Sequence, residues 1–187
     1  EVLAAYDASL ETYRGLGAIV EQRDLPYRLN ALGMALGRII GSDGYYHVGK
    51  LVDDMSLPID PAVRPRIWIG KDMPATEYIA ALADQQRIKA EFAEALAGCD
   101  ALLTPTIAKA AIPVDEVDQM DTPAVLTRFV NLIEGCAVAL PNGFTGEGLP
   151  TSLQVVCAGE QEAMALRIAH AFETATDFGG RVPDAVA

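Results

Sequence analysis

Hydrophobic residues fall along this chain in two patterns, one typical of helices and the other typical of buried strands. In residues 2–16 and 73–98 they recur at helical spacing, which predicts two amphipathic helices. Short apolar runs at 101–103 and 137–140 and a mostly apolar stretch at 152–156 are bounded by Pro or Gly, as in central strands covered on both faces. This mixture of helices and buried strands predicts an α/β fold.

Turn and cap residues predict the other elements. Residues 27–40 are apolar and predict a helix, and the Ser-Asp-Gly sequence at 42–44 predicts a turn directly after it. The remaining predicted elements are a short strand at 18–20, a helix that begins at Thr122-Pro123 and runs through about Ile133, and a last helix at 159–175.

Composition and charge narrow the class of protein. Of the 187 residues, 51% are hydrophobic and 21% are charged, which is typical of one globular segment spanning 1–187. The formal net charge of −12 repels phosphate backbones and anionic membrane surfaces, so we expect no nucleic-acid partner and no membrane partner. No apolar run reaches the roughly 20 residues of a membrane span, and no signal peptide is visible. Because the first residue is Glu1 and not Met, we interpret the chain as a piece of a longer polypeptide.

The cysteines and histidines do not have the spacing of a metal site. Cys99, Cys136 and Cys157 contain no C-x-x-C pair, and we expect three reduced thiols in a cytoplasmic protein. His47 and His170 are remote in sequence and lack the spacing of a metal-binding helix. The sequence therefore predicts no metal and no cofactor.

Four motifs follow one another in the second half of the chain: DALLTPT at 100–106, NLIEG at 131–135, LPNGF at 140–144 and GLPTSLQVV at 148–156. Their order and spacing resemble the C-terminal part of the amidase signature family. The resemblance covers most of the chain. It implies the C-terminal portion of the amidase signature fold, with a mixed β-sheet covered by helices on both faces.

The resemblance also implies a reaction, the hydrolysis of a carbon–nitrogen amide bond through an acyl-serine intermediate. The family uses two serines and a lysine, and a Gly/Ser-rich loop supplies the serines. Ser9, Ser42, Ser56 and Ser152 lie in no such loop and in no G-x-S-x-G elbow. We therefore assign no catalytic residue here. We expect the N-terminal catalytic half of the same protein as a partner, a small-molecule amide as substrate and no activity from this segment alone.

What the resemblance implies for this segment is a wall of the substrate cavity. The matching positions are Thr104, Pro105 and Thr106 at the end of the first motif and Asn131 in the second. Thr106 and Ile107 are the residues that we expect to line the pocket. For Asn131 itself, the sequence favours a structural hydrogen-bonding role over a direct substrate contact. His47 lies in a region that borders the cavity in the family, although a surface histidine or a hydrogen-bonded core histidine is the favoured interpretation.

Within the family, the sequence favours a stand-alone amidase. In the A-type component of glutamyl-tRNA amidotransferases, an aspartate lies three residues before the threonine that matches Thr127, whereas this chain has Ala124 there. The R-Y-D-G-x-R-Y-G segment of that component is also replaced, by GSDGYYH at 41–47. The alternatives are that A-type component, a non-catalytic interaction or regulatory module derived from the amidase fold, and an unrelated α/β binding protein. A homodimer is a further candidate assembly.

Overall fold

A computed structural model describes residues 1–119 and 122–181, and in them a small β-sheet lies between two groups of helices. The α/β class predicted from the sequence is confirmed. The helices are α1 (Val2–Gly15), α2 (Gly33–Asp53), α3 (Arg64–Trp68), α4 (Ala75–Ala95), α5 (Arg128–Leu132) and α6 (Glu162–Ala175). The strands are β1 (Leu102–Pro105), β2 (Cys136–Phe144) and β3 (Pro150–Cys157), and single 3-10 turns lie at Leu29–Leu32, Val114–Glu116, Pro123–Leu126 and Phe178–Gly180.

Strand β3 is the centre of the sheet, whose strand order is β1-β3-β2. Both pairings are antiparallel, and Val155 lies opposite Leu103 on one side and Val138 on the other. The pairing of β2 with β3 shifts register between Pro141 and Gly143. Proline has no backbone N–H to donate, so a bulge at this point interrupts the ladder at little cost.

The two faces of the sheet contact different helices, as the resemblance implied. Leu153, Val155 and Cys157 point toward α1 and α6, where Phe172 is 1% exposed. Val156 points the opposite way, toward α2, α4 and α5. The helices therefore cover both faces, and each face has its own apolar cluster.

The prediction of a strand at residues 18–20 is wrong. These residues form an irregular segment, and the side chain of Ile19 is 90% exposed. A strand needs a neighbour to satisfy its backbone groups, and no strand among the described residues pairs with this segment.

The prediction of a turn at residues 42–44 is also wrong, because α2 continues without interruption from Gly33 to Asp53. Gly41 and Gly44 lie against Ile69 and Ile67, where a Cβ atom on either glycine would come within 2.9 Å of the isoleucine side chain. The glycines permit this close packing of α2 on the α3 region. Tertiary packing of this kind outweighs a local turn preference.

The helix predicted from Thr122 to Ile133 is divided into two. The side chain of Thr122 accepts a hydrogen bond from the N–H of Ala124, as expected of an N-cap, but the first turn is a 3-10 turn ending at Leu126. The carbonyl oxygen of Leu126 accepts a hydrogen bond from the side chain of Gln154. The N–H of Val130, which a continuous α-helix would pair with that carbonyl, donates to Thr127 instead.

A buried polar network joins α1 to the sheet at the β2 bulge. Asn142 donates from Nδ2 to Ser9 Oγ at 3.0 Å, and Thr151 Oγ1 donates to Asn142 Oδ1 at 2.9 Å. Ser9 Oγ donates in turn to the carbonyl oxygen of Ala5 at 2.7 Å. All three polar side chains are buried, so each needs its partner within the protein.

Replacing the central residue of this network should destabilise the fold. Asn142→Ala leaves the hydroxyl of Thr151 without its acceptor and that of Ser9 without its donor, and we expect the free energy of unfolding to fall by about 1–3 kcal/mol. Asn131→Ala is the matched control, because Asn131 is exposed and its side chain makes no hydrogen bond in the described part of the chain; its effect should stay within about 0.5 kcal/mol. Urea denaturation of the two variants measures both values, and equal effects would contradict the role of the network.

Candidate functional site

Four polar side chains form a row on one face of β1 and β3, which we call the polar row: Thr104, Thr106, Ser152 and Gln154. The hydroxyl oxygens of Thr106 and Ser152 lie 2.7 Å apart, within hydrogen-bonding distance. One step along the strands, Gln154 Nε2 donates to Thr104 Oγ1 at 3.1 Å. Residues two apart on a strand share a face, and opposite residues of paired strands are neighbours, so the four side chains are contiguous.

Gln154 fixes one end of the polar row. Gln154 is 3% exposed, and its Nε2 also donates to the carbonyl oxygen of Leu126 at 3.1 Å. A carbonyl oxygen accepts only from the NH2 group, so this contact determines the orientation of the side-chain amide. Gln154 therefore connects β3 with β1 and with the turn at 123–126.

The structure brings two of the predicted site residues together. Thr104 and Thr106 both lie in the polar row, and Ile107 follows directly after it, half-buried. Asn131 lies on α5 and is exposed, and in the described part of the chain its side chain does not make the structural hydrogen bond that the sequence favoured.

His47 lies apart from the polar row. It is exposed on α2, with its ring edge-on to Tyr46 at a centroid distance of 4.9 Å. It lines an open depression of about 640 Å³ together with Ser42, Tyr45 and Lys50, and none of the polar-row residues lines that depression. The surroundings of His47 are those of a surface histidine.

In the same depression as His47, the carboxylate of Asp53 accepts three hydrogen bonds. Tyr45 Oη donates to Oδ2 at 2.7 Å, and Trp68 Nε1 and Lys71 Nζ each donate to Oδ1 at 2.9 Å. The hydrogen bond from Tyr45, with that from Lys71, lowers the pKa of Asp53, because both favour the charged carboxylate. These contacts hold the end of α2 against α3.

The sequence-based reasoning missed Ser152 and Gln154. Both occupy alternate positions of a mostly apolar strand, opposite two threonines with the same spacing on β1. Polar residues at positions i and i+2 of a buried strand need partners on a neighbouring strand. That spacing was a signal for the polar row, but the pairing of β1 with β3 is needed to interpret it.

The polar row can bind through hydrogen bonds, but a nucleophile with its base is not found in the part of the chain that the structure describes. Ser152 contacts Thr106 and no lysine or histidine. Lys71 pairs with Asp53, and Lys89 pairs with Glu134. Among the described residues, no three His, Cys, Asp or Glu side chains are grouped as metal ligands. None of the helices described is both long and apolar enough to span a bilayer.

A groove of about 1140 Å³ runs along the outer edge of β1. Tyr6, Leu10, Ile19, Cys99 and Leu103 are among the residues that line it. Because the N–H of Thr106 donates to the carbonyl of Ser152, the alternation of an antiparallel ladder directs the N–H and C=O of Leu103 away from β3. Tyr6 Oη donates to this carbonyl oxygen at 3.0 Å, and within residues 1–119 and 122–181 it is the one side chain that hydrogen-bonds to this edge of β1.

Comparison with known proteins shows the family to which the chain belongs. The amidase family profile matches residues 1–166. The chain belongs to the amidase family. It is 32% identical to the A-type component of the glutamyl-tRNA(Gln) amidotransferase of Geobacter metallireducens, over 94% of this chain and 42% of that protein. The same component from Pelobacter propionicus is also 32% identical, over 95% of this chain and 42% of the relative.

Two solved structures show the same fold. A crystal structure of an amidase has a TM-score of 0.81 at 25% identity, over 92% of this chain and 41% of that one. The 6-aminohexanoate cyclic dimer hydrolase has a TM-score of 0.81 at 17% identity, over 100% of this chain and 44% of that one. The chain thus spans less than half the length of the relatives it matches.

Removing the hydrogen bonds of Gln154 should loosen the polar row. Gln154→Leu keeps the approximate volume but leaves the carbonyl of Leu126 and the hydroxyl of Thr104 without a donor, and we expect a loss of about 1–3 kcal/mol in the free energy of unfolding. Gln161→Leu, at an exposed position before α6, is the control and should change stability by less than about 0.5 kcal/mol. Chemical denaturation followed by circular dichroism checks both values, and a neutral Gln154→Leu would contradict the assignment.

The carboxylate of Asp53 should titrate below its ordinary range near 3.9. Because its folded-state pKa is lowered, its contribution to stability is present above the unfolded pKa and is lost as the pH falls through the folded value. Tyr45→Phe should raise the pKa of Asp53 in an NMR titration of side-chain carbonyl carbons. Tyr46→Phe is the control, since Tyr46 is 84% exposed and is not among the donors to Asp53. Equal pKa values in both variants would contradict the assignment.

Proposed function

We propose that this chain is the C-terminal part of an amidase and supplies part of its β-sheet and one wall of its substrate cavity. The remainder of the polypeptide would supply the serine nucleophile and its lysine base. The observation that carries the proposal is the amidase match over residues 1–166 in a chain whose described part contains the polar row but no nucleophile beside a base. A small-molecule amide is the substrate class that we expect.

The groups that the reaction needs divide between this chain and the remainder of the polypeptide. Formation of an acyl-serine needs a nucleophile, a base that accepts its proton, and donors for the developing oxyanion. The polar row has a different capacity, because each hydroxyl can donate one hydrogen bond and accept others. Thr106 and Ser152 are half-buried, so their hydroxyls lie near the surface of this part, where an amide group of the substrate could be oriented. Ile107 would supply apolar contact beside them.

The outer edge of β1 is where we place the remainder of the polypeptide. Backbone groups at Ala101 and Leu103 are directed into the groove, and a strand with unpaired backbone groups is a template for a further strand. Pro105 has no N–H, so added pairing would be concentrated at 101–103. Exposed apolar side chains such as Ile19 and Leu16 line the same groove and would be covered by the same contact.

A second candidate function is that of the A-type component of a glutamyl-tRNA(Gln) amidotransferase, since the relatives described above carry that name. The residue at position 124 supports the amidase instead. In that component the matching position is an aspartate, which would carry a charge suited to an ammonium group. Ala124 is half-buried in the turn at 123–126 and has no side-chain charge. We therefore propose a small-molecule amide other than glutamine as the substrate, with water as the nucleophile that hydrolyses the acyl-serine.

The test compares this chain alone with the complete polypeptide that contains it, on a panel of small aliphatic and aromatic amides and glutamine. We expect release of the amine or ammonia only with the complete polypeptide, and loss of that activity when the serine of its Gly/Ser-rich loop is replaced by alanine. Turnover by this chain alone would overturn the division of roles. Turnover of glutamine alone would support the amidotransferase, and no turnover of any amide would support a non-catalytic module.

A matched pair of threonine variants tests whether the polar row contacts the substrate. Thr106→Val in the complete polypeptide removes one hydroxyl from the polar row, and we expect KM for the amide to rise by about two- to tenfold with a smaller change in kcat, the scale of one hydrogen bond. Thr174→Val is the control, because the hydroxyl of Thr174 is exposed on α6 and donates only to His170 of its own helix. An unchanged KM in Thr106→Val would contradict a substrate contact at this residue.

A further inference from the structure

Cys136 and Cys157 lie directly opposite each other on adjacent strands. Cys136 is the first residue of β2 and Cys157 the last of β3, and the antiparallel register pairs one with the other. Opposite residues of such a pair project to the same face of the sheet. Both thiols are free and both belong to the cluster beneath α6.

This placement meets the distance requirement of a disulfide bond. Opposed residues of an antiparallel pair have Cα atoms about 4.5–5.5 Å apart, depending on which type of pair they form. Disulfides connect residues whose Cα atoms are about 4.4–6.8 Å apart. Cys99, in the turn after α4, has no strand partner and lines the groove beside β1 instead. The structure therefore distinguishes one pair among the three cysteines.

The backbone on either side of the two cysteines is closely packed. A Cβ on Gly135, next to Cys136, would lie 2.9 Å from the carbonyl oxygen of Cys157. A Cβ on Gly159 would lie 2.4 Å from the carbonyl oxygen of Glu134. Glycine is required where backbones approach so closely. These contacts, beyond the ladder itself, hold the start of β2 against the end of β3, and they keep the two cysteines in register.

The two thiols differ in access to solvent. Cys157 is 4% exposed and donates to the carbonyl oxygen of Asp100 at 3.3 Å, and burial raises the pKa of its thiol to about 11. Cys136 is only half-buried and donates to the carbonyl oxygen of Ala158 at 3.3 Å. A reagent from solvent therefore meets Cys136 first.

We propose that Cys136 and Cys157 form a thiol–disulfide modification site that reacts with low-molecular-weight disulfides of the glutathione class. The Cys136 thiolate attacks one sulfur of the small disulfide, which forms a mixed disulfide and releases one small thiolate. Cys157 then loses its proton to solvent and attacks Sγ of Cys136, which forms the protein disulfide and releases the second small thiolate. The two cysteines are oxidised by two electrons in total, and the small disulfide is reduced to two thiols.

The chain is incubated with oxidised glutathione, once under native conditions and once in urea. Free thiols are then blocked, and the disulfides are mapped by peptide mass spectrometry. Under native conditions we expect a Cys136–Cys157 linkage that lowers the intact mass by two hydrogens, in the wild type and equally in Cys99→Ser. Cys157→Ser should stop at a glutathione adduct on Cys136. In urea, Cys99 should also enter linkages, because the strand register no longer selects the pair.

Three results would overturn the proposal. The first is a native linkage that includes Cys99 as the main product. The second is a wild-type chain that accumulates only glutathione adducts without the internal disulfide. The third is the same distribution of linkages in native conditions and in urea, because the strand register would then have no part in the choice of partner.

Discussion

Strand β3 is buried on both faces and paired along both edges, and both apolar clusters of the chain meet on it. Leu153 and Val155 have no exposed surface, and Val156 is 2% exposed. Full burial of a side chain of this size contributes about 1.5–3 kcal/mol. The helices on one face do not share a cluster with those on the other, and the sheet, with β3 at its centre, is their common attachment. The packing of β3 is therefore the constraint that positions both groups of helices.

The same strand carries the polar side chains of the candidate site. A buried amide such as that of Gln154 costs several kcal/mol unless it is hydrogen-bonded, and its contacts with Thr104 and the Leu126 carbonyl meet that need. The hydrogen bond from Gln154 lies where the helix after Thr122 is interrupted, at the Leu126 carbonyl that Val130 leaves unpaired. The core and the proposed cavity wall are thus connected through one side chain, which gives the wall a rigid support.

Two features support the proposal that this chain is one part of an amidase. Its sheet has a backbone edge at β1 that only the hydroxyl of Tyr6 covers in the described residues, beside a groove with apolar lining. Its polar row can orient an amide but lacks, within those residues, the pairing of a serine with a base. A chain spanning about 42% of the length of its curated relatives accounts for both features together.

The α/β class, the three strands and helices α1, α4 and α6 could be predicted from the amino-acid sequence, because buried strands and amphipathic helices have strong periodicity and clear Pro and Gly boundaries. The order of the motifs also identified the amidase family. Three features required the folded protein: residues 42–44 continue a helix, residues 18–20 are irregular, and Thr104 and Thr106 meet Ser152 and Gln154. Each of these depends on contacts between residues distant in sequence. A local pattern does not contain such contacts, because close packing of glycines and cross-strand hydrogen bonds arise only when the strands and helices pack together.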